Sequence, residues 1–152
     1  MRFEKTREVL EHARDFHRQV SEFYDRLAQQ AANKKVKMML NYMSRHEKGL
    51  EDGITRYMQE SPREVLEAWF AFTHDETLLE ALRNDKIYGS DISLDDVIAL
   101  AMKFDRYLMD LYRGMANTAA TQAVSDMFVS LLELEKQERL KVARNAMMTL
   151  DI

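Results

Sequence analysis

The sequence predicts an all-helical protein, built as a four-helix bundle from two helical hairpins that a long crossover connects. Three observations support this fold. The 152 residues include only 4 Gly and 1 Pro, and no segment alternates apolar and polar residues as a half-buried strand does. Four long segments carry apolar residues at intervals of three and four. Residues 13–52 also align without a gap with residues 101–140, and 11 of these 40 positions are identical.

The first hairpin is predicted over residues 3–60. Its first helix covers about 3–32, and its buried seam is Leu10, Ala13, His17, Val20, Tyr24, Leu27 and Ala31. Asn33 is expected to end this helix, because Asn tolerates the left-handed conformation. The second helix covers about 34–60, and its seam is Val36, Met39, Met43, Glu47, Leu50, Ile54 and Tyr57. The short connection predicts that the two helices are antiparallel neighbours.

The crossover is predicted over residues 61–92. The run Ser61-Pro62-Arg63-Glu64 is a helix-start signal, so a short helix is expected from there through Trp69 and Phe72. A further turn or two is expected over 77–82, and residues 84–91, which include Gly89, are expected to form a loop. This length of chain is enough to return along the bundle before the third helix begins.

The second hairpin is predicted over residues 93–150. Its first helix covers about 94–117, is capped by Ser93 with Asp96, and has the seam Ile98, Ala101, Asp105, Leu108, Tyr112 and Met115. Its second helix covers about 121–149 and has the seam Val124, Met127, Leu131, Glu135, Glu138 and Val142. The connection between them is again short, which predicts another antiparallel pair.

Polar residues interrupt these apolar seams at matching depths. His17 and Glu47 lie 16 and 14 residues from Asn33, and Asp105 and Glu135 each lie 15 residues from Ala120, so each pair sits at nearly one level of its hairpin. Glu138 is one turn beyond Glu135 on the same face, so these five side chains are expected to converge. Buried carboxylates that repel one another must bind a cation, share protons, or pair with His17.

The motif Glu22-Phe23-Tyr24-x-x-Leu27-Ala28, followed by an apolar helix that carries Glu47, has a counterpart in the second half. This pattern resembles the ferritin-like superfamily, and its rubrerythrin-like branch most of all. The resemblance implies one ferritin-like domain over residues 1–152. It also implies that each half supplies one Glu, seven residues before the aromatic residue, and one Glu-x-x-His motif, which together hold two irons or another metal pair.

Only two of the six ligand positions that the resemblance implies keep the family's residue. Glu47 and Glu135 match the family, whereas His17 and Asp105 stand at the positions of the two other Glu residues. Leu50 and Glu138 stand where His is expected. The resemblance therefore implies a degenerate site, with metal ligands His17, Glu47, Asp105, Glu135 and Glu138. One or two Fe, Mn or Zn ions suit these oxygen and imidazole donors, and a decayed site holds none.

Two functions follow as alternatives. The first is a rubrerythrin-like metal-binding protein related to iron or oxidative stress, whose chemistry, if it has any, is that of a diiron oxidoreductase. The second is a non-catalytic bundle in which His17 balances Glu47 and Glu135, so that the decayed site serves a structural or interaction module. A homodimer is expected in either case, and the aromatic residues Trp69, Phe70 and Phe72 either cover the bundle or form its contact patch.

Composition narrows the possible partners. The net charge is −4 and there is no basic block, which argues against nucleic acid as a partner. Cysteine is absent, which excludes disulfides, thiolate metal sites and iron–sulfur centres. No run of 18 apolar residues and no signal peptide is present, so the sequence predicts a cytoplasmic protein without a membrane span.

Three further side chains near the seams are assigned by helical periodicity. His46, next to Glu47, is expected at the surface or edge of its helix, and Tyr24 and Tyr112 are expected in the core.

Overall fold

The computed structural model describes residues 2–72 and 89–150. In chain order the elements are strand β1 (Arg2–Lys5), helix α1 (Thr6–Gln30), helix α2 (Lys34–Glu60), the short helix α3 (Arg63–Leu66), strand β2 (Trp69–Phe72), helix α4 (Leu94–Thr118) and helix α5 (Gln122–Leu150). The two long helix pairs, α1 with α2 and α4 with α5, are the predicted hairpins, and each pair packs along its length. The four long helices form the predicted all-helical bundle.

Side-chain caps fix two of the helix starts. The Asn33 Oδ1 atom accepts hydrogen bonds from the backbone N–H groups of Lys35 and Val36, at 2.9 and 3.2 Å, so Asn33 begins α2. Its φ is −80°, so the expectation that it would end α1 in the left-handed region is wrong. Ser93 and Asp96 form the predicted capping box at the start of α4, in which each side chain accepts from the other residue's backbone N–H.

A short antiparallel strand pair corrects two helix boundaries. β1 pairs with β2, so that Phe3 lies opposite Ala71 and Glu4 opposite Phe70. Neither the first helix from Phe3 nor a crossover helix through residue 72 forms, and in the described part of the crossover the helix that starts after Pro62 ends at Leu66 as α3. Four-residue strands are too short to show a convincing alternation in the sequence. Their pairing also depends on a partner more than 60 residues away.

The strand pair closes one end of the bundle. The backbone N–H of Thr6 donates to the carbonyl of Ala68 at 2.8 Å, and this bond ties the start of α1 to the segment before β2. Phe70 is 4% exposed and packs edge-to-face against Phe128 of α5, with 5.7 Å between ring centroids. Phe70 therefore covers the bundle, whereas Trp69 points outward and is 59% exposed.

Aromatic side chains join the two hairpins in the core. Phe104 of α4 makes ring contacts with Phe16, Phe23 and Tyr24 of α1, at centroid distances of 5.9, 6.1 and 6.0 Å. Edge-to-face pairs of this kind stabilise a core beyond the area they bury. They also hold α1 and α4 at the depth where the polar residues of the seams occur.

Some expectations lie outside the described residues. These are the turns predicted over 77–82 and most of the loop predicted over 84–91. Within the described ranges, none of the helices combines the length and apolarity that crossing a membrane requires.

Candidate functional site

Three charged or ionisable side chains of the predicted seams are buried together between α1, α2 and α5. His17 is 1% exposed, Glu135 2% and Glu47 6%. Each occupies a position where the helical period directs the side chain into the bundle, so the backbone places them in the core regardless of their polarity. Burial of a charged group is unfavourable unless it is paired and hydrogen-bonded. Their contacts with one another meet that requirement.

His17 bridges the two glutamates. Its Nδ1 lies 2.5 Å from Glu47 Oε2, and its Nε2 lies 2.7 Å from Glu135 Oε1. Ionised carboxylates only accept hydrogen bonds, so both ring nitrogens must carry a proton for both contacts to be hydrogen bonds. His17 is then an imidazolium that donates to one carboxylate from each hairpin. This charged bridge links α1 and α2 to α5 across the bundle.

The electrostatics of the three groups favour the charged imidazole. Burial by itself lowers the pKa of His17, but the charges of Glu135 and Glu47, together with their hydrogen bonds, raise that pKa to about 10. At neutral pH the ring is therefore protonated. We name His17, Glu47 and Glu135 the imidazolium cluster.

Asp105 of α4 lies beside the imidazolium cluster and makes no hydrogen bond to it. Burial and the negative charges of Glu47 and Glu135 raise the pKa of Asp105 to about 7, and the positive charges of His17 and Arg139 act in the opposite direction. Asp105 therefore exchanges its proton near neutral pH, unlike an ordinary exposed aspartate. It adds little permanent negative charge to a region that already holds two carboxylates.

Two tyrosine hydroxyls point into the same region. Tyr24 and Tyr112 are core residues, as predicted, and they are 1% and 0% exposed. Burial raises the pKa of both phenols well above 10, and the nearby carboxylates raise it further. Neither hydroxyl, nor the Oε2 atom of Glu135, has a hydrogen-bond partner among the described residues. The centre of the bundle thus keeps two donors and one acceptor beyond those that the cluster uses.

Glu138 is directed away from the imidazolium cluster. Its Oε2 lies 3.1 Å from His46 Nδ1, and its Oε1 lies 3.0 Å from Lys141 Nζ. The expected convergence of five side chains is therefore wrong for Glu138. His46 was expected at a surface or edge, yet only 11% of its side chain is exposed, and it stacks on Tyr42. A Glu on α5 one turn from Glu135 and a His next to Glu47 are the sequence signals for this second pair.

The His46–Glu138 pair lines a groove between α2 and α5. The groove has a volume of about 540 Å³ and is also lined by Leu50, Gly53 and Leu134. Leu50 is 4% exposed and supplies no donor where the resemblance implies a His ligand. The resemblance implies His ligands at two positions of the metal pair. One of these positions is occupied by the aliphatic Leu50, and the other by Glu138, which pairs with His46 and Lys141.

The donor set does not fit a metal ion as the side chains stand. A protonated imidazole has no lone pair for a metal, and one oxygen of each partner glutamate already accepts a hydrogen bond from His17. In the part of the chain that the structure describes, no three His, Asp or Glu side chains are grouped so that they could hold a metal ion. The positive charge that a metal would bring to these carboxylates is supplied by His17 itself.

Comparisons with known proteins support the fold. Neither a comparison with protein-family models nor one with curated proteins gives a match. Among solved structures, the chain is similar to a protein from Thermotoga maritima assigned as a ferritin-like diiron-carboxylate protein. The TM-score is 0.62, the sequence identity is 15%, and the match covers 95% of each chain. At this identity the likeness shows the fold, which is that of a ferritin-like bundle.

Proposed function

We propose that this protein is a non-catalytic ferritin-like module in which a histidine cation replaces the metal at the centre of the bundle. The observation that carries the proposal is the double engagement of His17, whose ring nitrogens lie 2.5 and 2.7 Å from oxygens of Glu47 and Glu135. One imidazolium here pairs with carboxylates from both hairpins. It stabilises their buried charge and fixes the distance between the hairpins.

The charges support a structural role. Two buried carboxylates without a cation would repel each other and would each lose their hydration. The His17 cation offsets one of these charges fully and shares hydrogen bonds with both. Removal of one member of such a set leaves a buried charge without its partner, which is far more destabilising than the loss of an exposed ion pair. The bundle can therefore be folded without an inorganic ion.

The outer surface offers a contact for a second copy of the chain, which we propose as its partner. Phe3 and Trp69 lie on the outward face of the strand pair and are 73% and 59% exposed. Lys5 on the same face lies over the Trp69 ring, with 5.4 Å from its Nζ to the ring centroid. Aromatic residues are enriched at protein contacts relative to the rest of the surface. An interaction module would use this face and would leave the cluster buried.

A metal-binding function is the second candidate. It is favoured by the diiron-carboxylate assignment of the Thermotoga maritima structure and by the presence of three carboxyl groups, those of Glu47, Asp105 and Glu135, close enough to act on one another. In this reading Fe, Mn or Zn would bind these carboxylates, and His17 would have to give up its proton and its two present hydrogen bonds. Metal uptake would then release protons and depend on pH.

One experiment separates the two candidates. Thermal unfolding would be measured for the wild type and for His17→Glu, each stripped of metal and then given anaerobic Fe(II) or Mn(II), with metal content determined in parallel. We expect no bound metal and no change in Tm for the wild type. His17→Glu adds a carboxylate in place of the cation. We therefore expect it to be destabilised without metal and stabilised when metal binds the folded state.

A neutral variant supplies the control. His17→Gln removes the cation without adding a carboxylate, so we expect it to be destabilised and to recover little with metal. A stoichiometric ion in the wild type, accompanied by a metal-dependent rise in its Tm, would overturn the metal-independent proposal and favour the second candidate.

A further inference from the structure

An apolar cavity opens between α2, α4 and α5, next to Asp105. Its volume is about 160 Å³, and its wall includes Met39, Met43, Ile98 and Val142. Asp105 and Arg139 also line it and supply its charged groups. It is separate from the groove that contains His46 and Glu138. The imidazolium cluster needs no such cavity, because His17 contacts both glutamates directly.

The two charged groups of the cavity act on each other without forming an ion pair. The positive charge of Arg139 lowers the pKa of Asp105, so the two groups are close enough to interact through space. Nevertheless, over residues 2–72 and 89–150, no carboxylate lies within 4.0 Å of the Arg139 guanidinium. The cavity thus presents the Arg139 guanidinium as a donor and the Asp105 carboxyl group, with a gap between them.

Charge selects the kind of group that suits this gap. A carboxylate ligand would be attracted by Arg139 but repelled by Asp105 and by the glutamates behind it. An ammonium ligand would be repelled by Arg139. An uncharged hydroxyl can accept from the guanidinium, and it can donate to an ionised Asp105 or accept from a protonated one. It therefore suits the gap in either protonation state of Asp105.

Volume and lining select the rest of the ligand. A protein cavity of about 150 Å³ with an aliphatic lining stays dry and binds benzene, so a cavity of this size accommodates about one ring. The thioether side chains of Met39 and Met43 are flexible and make favourable contacts with aromatic ring edges. An aromatic ring fits this wall better than a polar molecule of the same size.

We propose that this cavity binds an uncharged molecule of about one aromatic ring that carries a single hydroxyl group, with phenol as the simplest example. The ring lies against the methionine and aliphatic side chains. The hydroxyl lies between Arg139 and Asp105. This binding site goes beyond the structural role proposed for His17, and it requires no chemistry at the imidazolium cluster.

The test is a titration of the full chain, labelled at the methionine methyl groups, with phenol, toluene, benzoate and benzylamine, followed by NMR. We expect phenol to cause saturable shifts of the Met39 and Met43 methyl signals. Toluene lacks the hydroxyl and should bind at least about ten-fold more weakly, the effect of losing one hydrogen bond to a charged group. Benzoate and benzylamine should also bind more weakly than phenol, because each is repelled by one of the two charged groups.

Two variants and a matched control locate the site. Arg139→Gln should weaken phenol binding about ten-fold. Ala143→Phe, a change at an exposed residue of the lining, should fill the mouth and abolish binding. Arg144→Gln changes an exposed arginine that does not line the cavity, so it should leave the phenol affinity unchanged.

Four results would overturn the proposal: no saturable shift with phenol, toluene binding as tightly as phenol, benzoate or benzylamine binding at least as tightly as phenol, or a phenol affinity that Arg139→Gln leaves unchanged. The Arg139→Gln measurement decides the matter if Ala143→Phe does not fold, because the arginine is exposed.

Discussion

The His17 side chain connects the two hairpins of this protein through its charge and its packing. One ring contacts a carboxylate of its own hairpin and another of the opposite hairpin, and all three groups are buried. A buried ionic set of this kind contributes less to net stability than an equally well-packed apolar core. Its effect appears instead when one member is removed and the others remain.

Replacement of one glutamate tests this effect. Glu135→Ala should lower the free energy of unfolding by about 3–5 kcal/mol, because His17 keeps its charge but loses one of its two partners. The measurement is equilibrium unfolding in urea. Glu133→Ala, two residues away at a side chain that is 57% exposed, is the matched control and should stay within about 0.5 kcal/mol of wild type. Equal effects of the two substitutions would show that Glu135 is not in a buried ionic set.

The pH dependence of stability tests the protonation state. The folded pKa of His17 is about 10 and its unfolded value is near 6.5, so between these values only the native state keeps the proton. The stability that His17 contributes is fully present below pH 6.5 and is lost as the pH rises through 10. The free energy of unfolding should therefore fall from pH 7 to pH 9 by roughly 1.4 kcal/mol per pH unit.

Variants assign this slope to His17. His17→Gln should remove the fall between pH 7 and pH 9, whereas His46→Gln leaves the imidazolium cluster intact and should retain it. A stability that rises between pH 7 and pH 9 would contradict the assignment to His17.

Asp105 acts in a lower pH window, because its folded pKa of about 7 lies above its usual value of 3.8. Its contribution to the free energy of unfolding should decrease from about pH 4 to pH 7.

The meeting of His17, Glu47 and Glu135 was predictable from the sequence, since each occupies a seam position at a matching distance from its turn. The departure of Glu138 was not predictable in the same way. Glu138 shares the face of Glu135, but the groove between α2 and α5 lets it reach His46 and Lys141 instead. The width of that groove depends on how far α2 and α5 diverge, and helical periodicity gives no information about that divergence.

At the scale of the element, helix ends and short strands are the features that the local sequence predicts least well. The capping box of Ser93 and Asp96 was predicted correctly, because both partners lie within four residues. Asn33 was assigned to the wrong helix, since Asn is favoured both at the start of a helix and just after its end. The strand pair was missed because β1 and β2 become strands only by pairing with each other.

The capping box at the start of α4 gives the prediction at this scale. Ser93→Ala removes the acceptor for the backbone N–H of Asp96, and it should lower the free energy of unfolding by about 1 kcal/mol. Ser130→Ala changes an exposed serine inside α5, where Ala is the better helix former, so it should be neutral or slightly stabilising. Urea unfolding of both variants makes the comparison. A loss for Ser130→Ala as large as that for Ser93→Ala would argue against the cap.

At the scale of the whole molecule, the ferritin-like architecture was predicted from the spacing of apolar residues and the pairing of helices, which persist while individual residues change. The similar solved structure shares 15% of its residues and has a TM-score of 0.62. A fold can outlast that much change, because the spacing of apolar residues sets the helices and their pairing, whereas ligand residues can be exchanged one at a time. This is also why the fold follows from the sequence more readily than the function does.

The proposed homodimer is tested at the same scale. We expect the wild type to have the mass of a dimer by size-exclusion chromatography with light scattering. Trp69→Ser should shift it toward the monomer, because an exposed aromatic at a contact contributes a large share of the binding free energy. Met38→Ser changes a similarly exposed apolar residue on α2 and should leave the mass unchanged. A monomeric wild type, or a dimer unaffected by Trp69→Ser, would contradict this contact.

The most direct test of the central claim is an NMR titration of the His17 ring nitrogens in the wild-type protein as purified, without added metal. We predict that Nδ1 and Nε2 both carry a proton at pH 8 and that the ring loses a proton only as the pH approaches about 10. A ring that is neutral at pH 8, or one whose signals show a bound metal, would contradict the account in which the His17 cation replaces a metal.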